Sequence, residues 1–292
     1  MDTGELLKKV RKIEIKSRGL SQNIFAGMYH TAFKGRGVMF SEVREYQPGD
    51  DVRDIDWNVT ARQNRPFVKV YEEDRELTMM LMIDVSGSEW FGTTAAGAKR
   101  DMMAEIGATL AFSSIANNDK VGVIFFSDKI EKFIPPKKGK SHILLIIREI
   151  LNLQPEGRKT DIDQALQFLN SAVKRRCTAF LLSDFIDDND YYNSMSVANR
   201  KHDLAAIQVF DERDASLPDV GLLRGFDLES GREMWIDSSL KSVRQAYERE
   251  WYERQQRFGA ITTRCGVDNV SIRTDKDYVK FLVDMFRKRA VR

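Results

Sequence analysis

Residues 77–88 read Leu77-Thr78-Met79-Met80-Leu81-Met82-Ile83-Asp84-Val85-Ser86-Gly87-Ser88. The uncharged run from Leu77 to Ile83 is too short for a buried helix and has the length of a strand covered on both faces. Directly beyond it, Asp84, Ser86 and Ser88 put one carboxylate and two hydroxyls at alternate positions. Ligand crevices in open α/β sheets lie outside the carboxyl ends of the strands, so these side chains stand where a ligand would be met. Clustered carboxylate and hydroxyl oxygens suit a hard cation.

Working outward, short apolar runs alternate with helical patterns, the rhythm of a parallel sheet covered by helices. Strands are predicted at 78–83, 121–126, 179–182 and 204–210. Between the first two, the alanine-rich stretch 95–116 carries Met102, Ile106 and Leu110 at spacing four, with Gly97 and Gly107 permitting close approach to the sheet. A turn at Ser127-Asp128-Lys129 leads into a strand expected to end at Ile134, where Pro135-Pro136 stops the ladder. Helices follow from Ser141, from near Thr160-Asp161, from about Ser239, and over 275–289. A hairpin at about 222–237, turning at Glu229-Ser230-Gly231, interrupts the alternation.

Residues 1–76 follow a different pattern: a basic helix, then β-like alternation over 35–46 and 66–73. The expected fold is therefore α/β, a mainly parallel, doubly wound Rossmann-type sheet over 77–292 with a small N-terminal β-rich subdomain within 1–76.

The 292 residues, 42% of them hydrophobic, suffice for one large domain or a domain with an appendage. Lysine and arginine number 46 against 44 acidic residues, and a net charge of +2 argues against general nucleic-acid binding through the basic segment around Lys8, Lys9, Arg11 and Lys12. Cys177 and Cys265 lack CxxC spacing, which excludes a cysteine zinc site and favours a reducing compartment. His30, His142 and His202 have no ligand spacing, and no P-loop, GxSxG or GxGxxG motif is present. No stretch approaches the roughly 18 apolar residues of a membrane span, and the N-terminus is charged where a signal peptide needs an apolar block. A cytoplasmic protein with no membrane insertion is expected.

Two further loops carry oxygen ligands: Thr160 opens a helix, and Asp184 follows the apolar run Phe180-Leu181-Leu182-Ser183. Magnesium prefers octahedral oxygen coordination and keeps waters, so a sheet order that joins these loops would bring Asp84, Ser86, Ser88, Thr160 and Asp184 to one candidate metal site.

The DxSxS sequence at Asp84 to Ser88, the threonine of Thr160-Asp161-Ile162-Asp163, and the strand-end Asp184 resemble the metal-ion-dependent adhesion site of von Willebrand factor A domains, in that family's order. The resemblance covers 77–290. It implies that Ser86, Ser88 and Thr160 bind the ion (Mg2+, with Mn2+ or Ca2+ as alternatives) through hydroxyls. Asp84 and Asp184 would act largely through water, leaving a position for a partner's carboxylate. Two departures stand out: Phe185 where many such domains have glycine, and Glu89-Trp90 at the mouth.

A second resemblance spans almost the whole chain. Gly35-Arg36-Gly37, Arg44-Glu45-Tyr46, Gln47-Pro48-Gly49-Asp50-Asp51-Val52-Arg53, Ile55-Asp56-Trp57 and Ala61-Arg62 are similar to the signature of the bacterial family called domain of unknown function 58. Its members are often encoded beside MoxR-type AAA+ ATPases, which implies a non-enzymatic adaptor with such an ATPase as partner.

Competing readings rest on the same residues. Asp84 and Ser183-Asp184-Phe185-Ile186-Asp187-Asp188 resemble the first and last motifs of magnesium-dependent haloacid-dehalogenase-like phosphotransferases, in which Asp84 would be the nucleophile. Ser86 opposes this, because that chemistry needs a second aspartate there as general acid. Asp54, Asp56, Asn58 and Thr60 imitate a calcium loop, but Val59 and Arg65 occupy the positions that need glycine and glutamate. Arg36, Arg44, Arg53 and Arg62, interleaved with Asp50, Asp51, Asp54 and Asp56, read as a structural ion-pair network.

Overall fold

The computed structural model describes residues 10–17, 39–72, 77–87, 98–226 and 233–290. The chain divides into two compact units, one of Lys34–Glu76 and one of Met1–Phe33 with Leu77–Arg292. Residues 10–17 are helical (α1), with Ile13 buried in the core of the larger unit and Ser17 hydrogen-bonded to Thr109 at 3.2 Å. The sequence pattern groups this helix with the strand pair instead, because a short basic amphipathic segment does not announce which core it joins.

In the smaller unit β1 (Met39–Glu45) pairs antiparallel with β2 (Phe67–Glu72). Between them, Asp51 caps a 3-10 turn and Asp56 caps α2 (Trp57–Gln63), accepting from the Asn58 and Val59 amides. Asn64 ends that helix in the left-handed region, at φ 52°. Arg44 grips Asp50 with two hydrogen bonds of 2.8 and 2.7 Å. Of the acids that imitate a calcium loop, Asp56 thus serves as a helix cap, and the neighbouring Asp51 and Asp50 serve as a cap and in an ion pair. Gly35-Arg36-Gly37 lies outside the described residues.

The larger unit is built on a six-stranded sheet formed by β3 (Thr78–Asp84), β4 (Lys120–Phe126), β5 (Ile130–Lys137), β6 (Thr178–Ser183), β7 (Asp203–Phe210) and β10 (Asp268–Arg273). Its order is β10-β7-β6-β3-β4-β5, parallel throughout except for the antiparallel edge strand β5. This is the expected mainly parallel, doubly wound sheet. The helices are α3 (Ala98–Ala116), α4 (Lys140–Asn152), α5 (Ile162–Ala172), α6 (Tyr192–Lys201), α7 (Glu212–Ala215), α8 (Lys241–Cys265) and α9 (Tyr278–Ala290).

The run at 77–83 lacks polar alternation because both its faces are covered. Met79, Leu81 and Ile83 enter one core with residues of α3, α4 and α9, whereas Met80 and Met82 enter a second with residues of α5 and α6. Each such side chain contributes about 1.5–3 kcal/mol on burial. From β3 the chain builds outward to β4 and β5, then returns to the other side of β3 for β6, β7 and β10. The topological switch point therefore lies between β3 and β6, placing Asp84 and Asp184 at its carboxyl end.

Several expectations need correction. β5 continues through Pro135 and Pro136 to Lys137. As an edge strand it tolerates the missing amides. A register shift between Val121 and Val123 flanks Gly122, where a Cβ would come within 2.9 Å of Ile134 O and Pro136 N. β10 and α6 were not anticipated. Gly107 has only ordinary contacts around an added Cβ, the nearest at 3.5 Å, so close approach does not require it. The hairpin is formed by β8 (Leu222–Phe226) and β9 (Glu233–Asp237), while Gly97 and the turn at Glu229-Ser230-Gly231 lie outside the described residues. Among the described residues no helix is long and apolar enough to cross a membrane.

Candidate metal centre

Three loops meet at the switch point and are tied by hydrogen bonds. The Val85 amide donates to Phe126 O and the Gly87 amide to Arg158 O, both at 2.8 Å, fixing the first loop against its neighbours. Asp161 N donates to Ser127 O at 2.9 Å, and Ile162 N to Asp187 Oδ2 at 2.8 Å, joining the second loop to the third. Close packing beneath the second loop requires Gly157, where a Cβ would sit 1.9 Å from Asp128 Oδ1.

Asp84 is 2% exposed. Its Oδ1 accepts from the Ser86 amide at 2.9 Å, and its Oδ2 accepts from Ser183 Oγ at 2.6 Å and Thr160 Oγ1 at 3.5 Å, the outer limit of a hydrogen bond. Burial, and then the charge of Asp184, raises the Asp84 carboxyl well above the ordinary carboxylate range. Four expected ligands, Asp84, Ser86, Thr160 and Asp184, are thus buried at this edge. Ser88, with Glu89 and Trp90, lies outside the described residues.

Asp184 has company that the sequence did not signal plainly. Its Oδ2 is 2.9 Å from the Nζ of Lys99, and that ammonium is also 3.0 Å from Asp214 Oδ2. The Lys99 and Asp184 side chains are fully buried, and that of Asp214 is 8% exposed. Lys99 shares an apolar stripe of α3 with Met103, Ile106 and Leu110, at steps of four, three and four. A lysine on such a stripe is the signal that would have exposed the buried pair. Ser183 was also missed as a site residue, although it directly precedes Asp184.

Phe185 follows Asp184 with φ 58°, in the left-handed region where glycine is at ease. That conformation suits glycine, so a phenylalanine here carries a backbone cost. Phe185 tolerates it because its ring is buried against Phe258, with centroids 4.4 Å apart, and beside Tyr191. Asp184 is held further by its Oδ1, which accepts from Ile186 N at 3.0 Å, and by its carbonyl, which accepts from Gln208 Nε2 at 3.0 Å.

Among the described residues no group of three His, Cys, Asp or Glu is placed to hold a metal. The donors that do converge are hydroxyls and carboxylates, which fit Mg2+ or Ca2+ and not a soft transition metal. Among the described residues, Asp84, Asp184 and Asp214 are three buried acids near the ammonium of Lys99, and burial holds the Asp84 and Asp214 carboxyls above their ordinary range.

An uncharacterised protein of Mycobacterium tuberculosis is 31% identical over 99% of this chain and 91% of its own length. Solved structures that are similar include BatB, a conserved hypothetical protein from Bacteroides thetaiotaomicron (13% identity, 74% of this chain, 100% of that chain, TM-score 0.48). Another is the VWA domain of SpRpn10 (12% identity, 73% of this chain, 94% of that chain, TM-score 0.38). These overlaps are loose, and the fold assignment rests on strand order and direction. The family model described as "Protein of unknown function DUF58" matches residues 42–257. With that match across most of its length and a relative aligned end to end, the chain belongs to the DUF58 family.

Proposed function

We propose that this protein is a non-enzymatic interaction module that holds a divalent cation (Mg2+, with Mn2+ or Ca2+ as alternatives) at Asp84, Ser86, Ser88, Thr160 and Asp184. The bound ion captures an acidic side chain of a partner protein. The observation that carries this reading is the buried Asp84 carboxylate, whose described hydrogen-bond partners are hydroxyls and an amide at the switch point of the sheet. With the direct contacts made by neutral hydroxyls and with Asp84 and Asp184 acting largely through water, the first shell would neutralise the ion incompletely and leave it an attraction for a further carboxylate. Ser86 weighs against the phosphotransferase alternative, since it places a hydroxyl where a general acid is required.

The family resemblance nominates a MoxR-type AAA+ ATPase as the partner. The full chain, immobilised and mixed with such an ATPase from the same genome, is expected to retain it in Mg2+. Chelation by EDTA, or Ser86→Ala, should weaken retention by about tenfold or more, equivalent to ~1.4 kcal/mol. The Ser86 amide that donates to Asp84 survives that substitution, so the variant removes one hydroxyl and leaves the loop bond in place. Equal retention under all conditions would contradict the proposal.

A further inference from the structure

Lys99 stands between Asp184 and Asp214, with its Nζ 2.9 Å from one carboxylate and 3.0 Å from the other. We infer that the Lys99 ammonium is the resident cation of this site, that an incoming divalent ion competes with it for Asp184, and that Asp214 retains the ammonium when Asp184 turns to the metal. This rests on the metal reading of the Asp84 edge and adds a regulatory step to it.

Electrostatics require the competition. An ammonium in hydrogen-bond contact with Asp184 neutralises the carboxylate that would otherwise attract the ion, and it repels any second cation nearby. Asp214 makes the exchange feasible, because a buried ammonium released by one partner must keep another. Asp214 is itself anchored: its Oδ2 accepts from the Asp211 amide at 2.7 Å within the capping box of α7. The neighbouring Arg213 carbonyl accepts from the hydroxyl of Tyr247 on α8 at 2.9 Å. Metal occupancy at Asp184 would therefore be felt at α7 and, through Tyr247, at the long helix α8.

The test is isothermal titration of the full chain with Mg2+ alone, comparing wild type with Lys99→Met, Lys99→Arg, Asp214→Asn and the double variant Lys99→Met/Asp214→Asn. Lys99→Met is expected to bind Mg2+ at least about tenfold more tightly, and to gain more thermal stability from Mg2+ than wild type does. Lys99→Arg keeps the charge and should stay close to wild type. Asp214→Asn removes one of the carboxylates that hold the ammonium, tightens its hold on Asp184 and should bind more weakly. In the double variant that loss should vanish, because Asp214 acts through Lys99. Should Lys99→Met fail to fold, the double variant, which loses one charge of each sign, carries the test.

Wild-type binding with no gain in either Lys99→Met variant would overturn the competition and leave the metal reading intact. Weakening by Asp214→Asn that persists in the Lys99→Met background would overturn the part assigned to Asp214. Absence of Mg2+ binding in every variant would overturn both readings.

Discussion

At each end of the parallel sheet one cation stands between two aspartates, and the two triads differ in their solvent. At the carboxyl end, Lys99 and Asp184 are fully buried and Asp214 nearly so. At the opposite end, Arg289 of α9 pairs with Asp203 and with Asp268, where the aspartates are 27% and 21% exposed. Arg289 is itself 10% exposed, but water reaches both aspartates and screens the triad in part, so it acts as a clamp between α9 and the starts of β7 and β10 of modest strength. The buried triad has no such screening, and Asp84 beside it adds a further acid. The same residue chemistry is therefore a partly hydrated fastening at one edge and a buried cluster of acids and ammonium at the other, and the proposed metal site lies at the buried edge.

Substitutions can break or sharpen this contrast. The largest effect is expected for Lys99→Met measured by urea unfolding without divalent ions: a loss of about 3–5 kcal/mol, because two buried carboxylates lose the ammonium they share. Next is Phe185, beside Asp184. Truncation to alanine should cost about 3 kcal/mol of buried ring, whereas Phe185→Gly should be more stable than Phe185→Ala by ~1 kcal/mol, because glycine relieves the left-handed backbone. The reverse order would show that φ at this position carries no strain.

At the amino-terminal edge, burial lowers the His202 imidazole to about 4, and its Nδ1 lies 3.3 Å from Cys177 Sγ. The unfolded chain takes up a proton near pH ~6.5 that the folded chain resists down to about pH 4, so the unfolded state binds more protons in that window. The stability this histidine permits at neutral pH is lost as pH falls from about 6.5 to 4, by on the order of 2 kcal/mol. Unfolding midpoints at pH 7, 5.5 and 4.5 should show that slope in wild type and a flatter one in His202→Gln. Smallest of all, Arg289→Ala should cost about 1 kcal/mol, less at high salt. A loss there as large as that of Lys99→Met would erase the distinction between the edges.

The architecture was legible where local pattern and burial agree. An unbroken apolar run means a strand covered twice, and the Asp84, Thr160 and Asp184 loops follow from where such strands end. β10 escaped because an edge strand such as Asp268–Arg273 keeps polar residues, with Ile272 its one fully buried side chain. The proline stop was misplaced because an edge partner with Gly122 can carry Pro135 and Pro136. The carboxylate partners of Lys99 lie 85 and 115 positions away along the chain, and only the fold brings them together. Phe185 shows the complementary case: the sequence marks a departure from glycine, the backbone angle shows its cost, and the buried ring against Phe258 shows what offsets it.

The central claim is that the Asp84 edge takes a divalent ion. Calorimetric titration of the full chain with Mg2+, comparing wild type with Asp84→Asn and Ser86→Ala, tests it most directly. One ion per chain bound by wild type, with affinity reduced by about tenfold or more in both variants, is the predicted result. Binding that both variants leave unchanged would place the ion elsewhere and contradict the account.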